Sequence, residues 1–251
     1  MLRRLRTADR TAGEAAQMRA RRAERTYGAA LRRVARMVGD IVEGHDISTP
    51  EGRQVLEIAL RAYGDTLRPW AEAVGRRMIA DTDTATWRAW SSLSREMGRA
   101  IRLEIEQGAT GAVMRERLAA QVDLITSLPR EAAERVHRIA QEGLINGERA
   151  DAIAARIRET GDVTRARADL IARTEVGRTA TELTRARAES VGSTGYIWTT
   201  IGDRDVRPSH KRMGGQFVRW DSPPTLDGLT GHAGALPNCR CLAMPVLPDD
   251  D

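Results

Sequence analysis

The chain has 251 residues, of which 41% are hydrophobic and 30% charged, and its formal net charge is +5. Such a chain can bury a core as one large domain or two smaller ones. No apolar run reaches the roughly 20 residues of a membrane helix, and the basic start "MLRRLRTADR" has no apolar stretch of the secretory kind, so neither a membrane partner nor export is expected.

The charge is unevenly placed. Residues 1–40 hold eleven arginines against four acids, a net +7 that leaves −2 for the rest. Arg3, Arg4, Arg6, Arg10, Arg19, Arg21 and Arg22 are therefore candidate phosphate contacts, with a solvated helix face as the alternative.

Tyr27, Leu31, Val34, Val38 and Ile41 mark one apolar seam on a long helix. "GHDIST" breaks it, and Thr49-Pro50-Glu51 is a helix start: a capping hydroxyl, proline at the first position, an acid in the first turn. Leu56, Leu60, Tyr63, Leu67, Trp70, Val74 and Met78 continue as a second seam, which makes a helical hairpin with the first. Pro69 should kink or divide that second helix. "DTDTAT" reads as its end, with Asp83 or Thr84 capping a third helix through Trp87, Trp90, Leu93, Met97, Ile101 and Ile105. A helix over about 112–127 should stop at Pro129, and a further stripe follows through Val136, Ile139, Gly143 and Leu144. A short helix should end at Gly161, and a last one should run from about 164 to 191 with Gly192 as its stop.

After Gly195 the character changes. "YIWTT" and "QFVRW" are short β-type runs, "DSPPTLDGLTGHAGALPN" is a long loop, and "CRCLAMPV" reads as a last strand. The expected fold is mainly α: an elongated helical body with a long N-terminal hairpin, plus a small C-terminal α+β module with a short antiparallel sheet. The divisions are 1–125 (basic helical region), 126–194 (further helices) and 195–251 (a β-rich His/Cys module with its own core and an acidic tail).

Both cysteines of the chain, Cys239 and Cys241, and two of its four histidines, His210 and His232, fall in this last module. These four groups are a candidate tetrahedral zinc site. Residues i and i+2 of a strand share a face, so both cysteines can reach one ion, although zinc pairs usually leave two or more residues between the cysteines. Two plain buried thiols are the alternative. A disulfide is disfavoured, because extended i,i+2 positions put the Cα atoms about 6.5–7 Å apart. Asp203 and Asp205 form an acid pair whose usual role is capping or salt bridging. The zinc-deaminase, HExxH, GxSxG and P-loop patterns are all missing, so no enzymatic activity is expected.

"RARADLIARTEVGRT", "GYIWTTIGDRDVRPSHKRMGGQFVRW" and "LPNCRC" together resemble the phage Mu protein F-like minor head proteins, also called phage head morphogenesis proteins. The residues that carry the resemblance are Arg173, Thr174, Glu175, Trp198, Asp203, Val206, Arg207, His210, Phe217, Cys239, Arg240 and Cys241, over about 130–247. It implies a virion structural protein, in the capsid interior or at the portal vertex and in the host cytoplasm before assembly. Its implied partners are the portal protein and other capsid proteins, with packaged DNA contacted without sequence preference. Similar modules also occur joined to toxin domains, and no extra toxin domain is expected in this chain. Arg173 and Glu175, at i and i+2 on a helix, each need a separate partner and are expected to tie the last helix to the terminal module. The rival reading is a small metal-dependent enzyme, a nuclease or a toxin-like transferase, built on the His/Cys module.

Overall fold

The computed structural model describes residues 7–93, 108, 110–202 and 205–247; of residues 7–17, 19, 89 and 91–93 it describes the backbone alone. The fold is mainly α with a small C-terminal antiparallel sheet.

Helix α1 (Thr7–Glu43) carries the first seam, with Tyr27, Leu31, Val34 and Val38 buried. Helix α2 (Pro50–Thr66) starts where the sequence places it: the Thr49 hydroxyl accepts from the Gly52 N–H at 3.1 Å. Pro69 divides the next stretch. Helix α2 ends at Thr66 and α3 (Arg68–Leu93) begins beside the proline, where a missing N–H breaks no intrahelical bond.

Three expected helix ends are not ends. Helix α3 runs straight through "DTDTAT". Its hydroxyls are absorbed locally, Thr82 against Met78 Sδ (3.6 Å) and Thr86 on the Asp83 carbonyl (3.0 Å), and Asp83 is ion-paired to Arg187. Of the third stripe, Trp90 is buried, and Met97, Ile101 and Ile105 lie outside the described residues. Helix α4 (Gly111–Ile145) contains Pro129. Leu128, Ala132, Ala133 and Val136 are buried on either side of it, and that apolar face holds the helix together across one lost hydrogen bond. Helix α5 (Ala150–Arg158) stops before Gly161, which belongs to α6 (Thr160–Ser190). A Cβ on Gly161 would lie 3.3 Å from the Gly39 Cα, so this glycine serves a close helix approach rather than a terminus. Gly192 does end α6: it has φ +83, and the N–H groups of Gly192 and Ser193 return to the carbonyls of Glu189 and Ala188.

Strand β1 (Gly195–Thr199) is central, antiparallel to β2 (Phe217–Arg219) on one side and to β5 (Leu242–Val246) on the other. The short helix α7 (Pro208–Met213) lies between β1 and β2 in sequence. The proline-rich loop is more ordered than expected. It holds a two-residue ladder, β3 (Thr225–Leu226) with β4 (Leu229–Thr230), turned by Asp227 and Gly228 at φ 53 and 78.

The chain forms two compact units of non-contiguous segments, residues 26–76 with 118–172, and residues 1–25, 77–117 and 173–251. One unit is built on Val38, Val42, Leu56, Leu60, Val136, Ile153 and Ile157, where the two expected seams meet. The other gathers Tyr196, Trp198, Val218, Trp220, Leu236, Cys239 and Cys241 around Trp90 of α3 and Ala188 of α6. The strands therefore share their core with two helices, which a five-residue central strand needs in order to bury both of its faces.

Candidate metal centre

Helix α7 opens with Arg207 in extended conformation and Pro208 at its first position, and the turn that follows buries Ser209 and His210. Ser209 Oγ donates to Asp227 Oδ2 at 2.7 Å and ties the turn to the β3–β4 hairpin. The His210 ring meets the Trp198 indole edge-on, with centroids 5.5 Å apart. Opposite it, residues 231–241 fold back through Gly234 (φ +83) and Asn238 (φ 56), which places Cys239 and Cys241 just before β5 rather than within it. The same-face strand argument therefore does not bring them together; the tight turn does.

His210 Nδ1 lies 3.3 Å from Cys239 Sγ and 3.8 Å from Cys241 Sγ. All three donor atoms lie within 4.8 Å of one another, and all three residues are buried. Zinc held tetrahedrally with its usual bond lengths sets an imidazole nitrogen about 3.6 Å from a thiolate sulfur and two sulfurs about 3.8 Å apart. The donor set suits the ion in chemistry, and its two nitrogen–sulfur distances bracket the tetrahedral value. Both cysteines are free thiols. The Cys239 thiol is pushed down to about 5, chiefly by its hydrogen bond with Cys241, whose own thiol is pushed up by the same contact. The two thiols titrate as a coupled pair. The Gly234 N–H supports the Cys239 sulfur at 3.3 Å. The buried Trp198 indole N–H meets no oxygen acceptor and lies beside Cys241.

His232 is not in this cluster. Its ring sits 5.6 Å from those of Tyr196 and Trp220, with Nδ1 3.3 Å from the Tyr196 hydroxyl. Burial pushes its imidazole below the ordinary value. Asp205 is exposed and paired to Arg240 at 2.9 Å. Asp203 lies outside the described residues.

Helix α6 meets the cysteine loop through residues the sequence singled out and others it passed over. Arg173 donates to Asn238 Oδ1 at 3.2 Å and to Glu24 at 3.4 Å. The Thr174 hydroxyl accepts the Asn238 N–H at 3.2 Å. Glu175 acts through a neighbour: it holds Arg178 at 2.8 Å, and Arg178 reaches the Ala235 carbonyl at 3.4 Å. Arg207 Nη2 donates to the Pro237 carbonyl at 2.6 Å. Arg178 and Thr181, whose hydroxyl meets the Ala233 carbonyl at 2.6 Å, show only as helix polar residues in the sequence. Of the basic N-terminal candidates, Arg21 and Arg22 are exposed on α1. Arg3, Arg4 and Arg6, and the side chains of Arg10 and Arg19, lie outside the described residues.

Residues 134–244 match the family model described as Phage Mu protein F like protein. This stretch of the chain is similar to the phage Mu protein F-like proteins. This region runs from Glu134 in α4 to Met244 in β5, and so contains the α6 contacts, His210 and both cysteines. The chain is also 33% identical over 133 residues to an uncharacterized protein of Haemophilus influenzae (strain ATCC 51907 / DSM 11121 / KW20 / Rd), covering 53% of this chain. It spans 29% of that relative's length. No solved structure matches. Among the described residues no helix is long and apolar enough to cross a membrane.

Proposed function

We infer that this chain is a phage head component, a minor structural protein of the virion that acts at the portal or inner capsid in head morphogenesis, DNA packaging or ejection. The observation that carries this reading is the Mu F-like match over residues 134–244. Seven of the twelve residues behind the resemblance, Arg173, Thr174, Trp198, Arg207, His210, Cys239 and Cys241, lie around one cluster, while Phe217 is exposed and Asp203 lies outside the described residues. Arginines on the exposed side of α1 suit non-specific contact with packaged DNA through phosphates. The test is composition: particles assembled from the phage genes should contain the protein at low copy number, and its absence from purified particles would count against the reading.

His210, Cys239 and Cys241 would hold one zinc ion, clasping the loop 231–241 to the α7 turn. When bound, the ion would supply crosslinking across a loop with little secondary structure. The same donors support a second reading, a metal-dependent enzyme, because three protein ligands leave one coordination position for water or substrate. Hydrolytic activity in purified protein that vanishes with His210→Ala would favour the enzyme.

A further inference from the structure

We propose that the cavity beside the His210–Cys239 pair is a binding site for a phosphate group. The cavity, about 330 Å3, is lined by Arg173, Arg207, Arg240, His210, Asn238, Asp205 and Cys239. Among the described residues three arginines line it against the Asp205 carboxylate and the Cys239 sulfur, with Glu24 on the far side of Arg173. They come from three places in the fold: α6, the residue capping α7, and the loop before β5. This excess of positive charge disfavours a second cation there, and the polar lining disfavours an apolar ligand.

The arginines are held in place by the protein. Arg207 has Nη2 on the Pro237 carbonyl at 2.6 Å and Nη1 3.5 Å from His210 Nε2. Arg173 is braced by Asn238 and Glu24 at 3.2 and 3.4 Å. Guanidinium groups already fixed by one or two bonds lose little freedom when they take a ligand, and their planar forks match the oxygens of a phosphate. The counter-charge is weak, because the Asp205 side chain is 78% exposed and already paired to Arg240.

Arg173 and Arg240 also line the neighbouring apolar groove, which reaches Arg21 of α1. A phosphate seated in the cavity can thus belong to a longer nucleic-acid strand that follows the groove toward Arg21. A free phosphate has the same chemistry, and the experiment separates the two sources. The site does not depend on the head-protein reading, since its test uses the purified chain alone.

Titration calorimetry of the full chain, zinc-loaded and chelated, would use inorganic phosphate, a 5′-phosphorylated oligonucleotide and the same oligonucleotide with a 5′-hydroxyl. Saturable phosphate binding that persists after chelation is expected, weakened about tenfold by Arg240→Gln and by Arg173→Gln, as loss of one charge-assisted hydrogen bond implies. Thermal melting confirms that each variant is folded. An oligonucleotide that binds only when phosphorylated identifies a terminal phosphate. Equal binding of the two oligonucleotides identifies the backbone. Binding of inorganic phosphate alone identifies the free ion. No saturable binding in either metal state, or affinity unchanged in both folded variants, overturns the proposal.

Discussion

A Cβ on Gly177 would stand 2.6 Å from the carbonyl oxygen of Gly234. Helix α6 therefore touches the cysteine loop backbone to backbone, and only a glycine permits it. Gly234 is constrained too, with φ +83 and the Thr181 hydroxyl 2.7 Å from where its own Cβ would lie. Gly177→Ala should lower stability by about 1–3 kcal/mol, the usual cost of overpacking against a backbone that cannot yield. Urea unfolding followed by tryptophan fluorescence reads this directly. An unchanged midpoint would mean that the loop does not sit against α6.

The donor cluster makes a stoichiometric prediction. Protein purified under reducing conditions should carry about one zinc per chain, and Cys239→Ser, Cys241→Ser and His210→Ala should each lose it. His232→Ala should keep it, because His232 lies with Tyr196 and Trp220 instead. Chelation should lower the melting temperature of the wild type and leave that of Cys241→Ser unmoved. Elemental analysis that finds no metal in stably folded protein would leave the cysteines as packed thiols only.

His232 carries a pH dependence whose sign follows from its surroundings. Burial holds the imidazole below its ordinary value, Arg185 pushes the same way, and a backbone hydrogen bond at Trp220 and the charge of Glu189 push back. The unfolded chain then binds more protons than the folded one as the pH falls past about 6.5. This contribution is fully present above that pH and is lost on acidification. His232→Phe should flatten the fall in melting temperature between about pH 7 and pH 5. An unaltered slope would show that the imidazole protonates equally well in the folded state.

The N-terminal helix is core as well as surface. Leu31, Val34, Val38 and Val42 are buried to within 1% of full coverage, and Tyr27 donates to Gln121 of α4 at 2.8 Å. Deleting residues 1–45 should thus prevent the 26–76 and 118–172 unit from folding. Circular dichroism of the truncated chain tests it, with loss of far more helix than the deleted segment contains as the expected result. A helical content reduced only by the missing residues would show that the unit folds without α1.

Much of this was legible where one residue decides local structure alone. Thr49 with Pro50 announces a helix start and Gly192 a helix end, because caps are set by their own side chain or its absence. The seam from Tyr27 to Val38 reads as core because its period is that of a helix. Gly161, Pro129 and "DTDTAT" misled for the converse reason. Each is a breaker in isolation, and each is overridden by contacts distant in sequence: Gly39 against Gly161, the buried faces around Pro129, Arg187 on Asp83. At the site, the sequence named His210 and the cysteines, which the fold brings together, but could not separate His232 from them, since four candidate donors within 32 residues carry no geometry. The partnership of Arg178 and Thr181 with the loop carbonyls was not readable either, because those acceptors are backbone atoms and leave no mark in the sequence.

The central claim, that this chain is a phage head component, is tested most directly by electron microscopy of assembled particles with the chain labelled at its C-terminus. The account predicts label at a single vertex or on the inner capsid surface, in few copies per particle. Fully assembled, DNA-filled heads that carry no label while the labelled protein accumulates free in the lysate would contradict it.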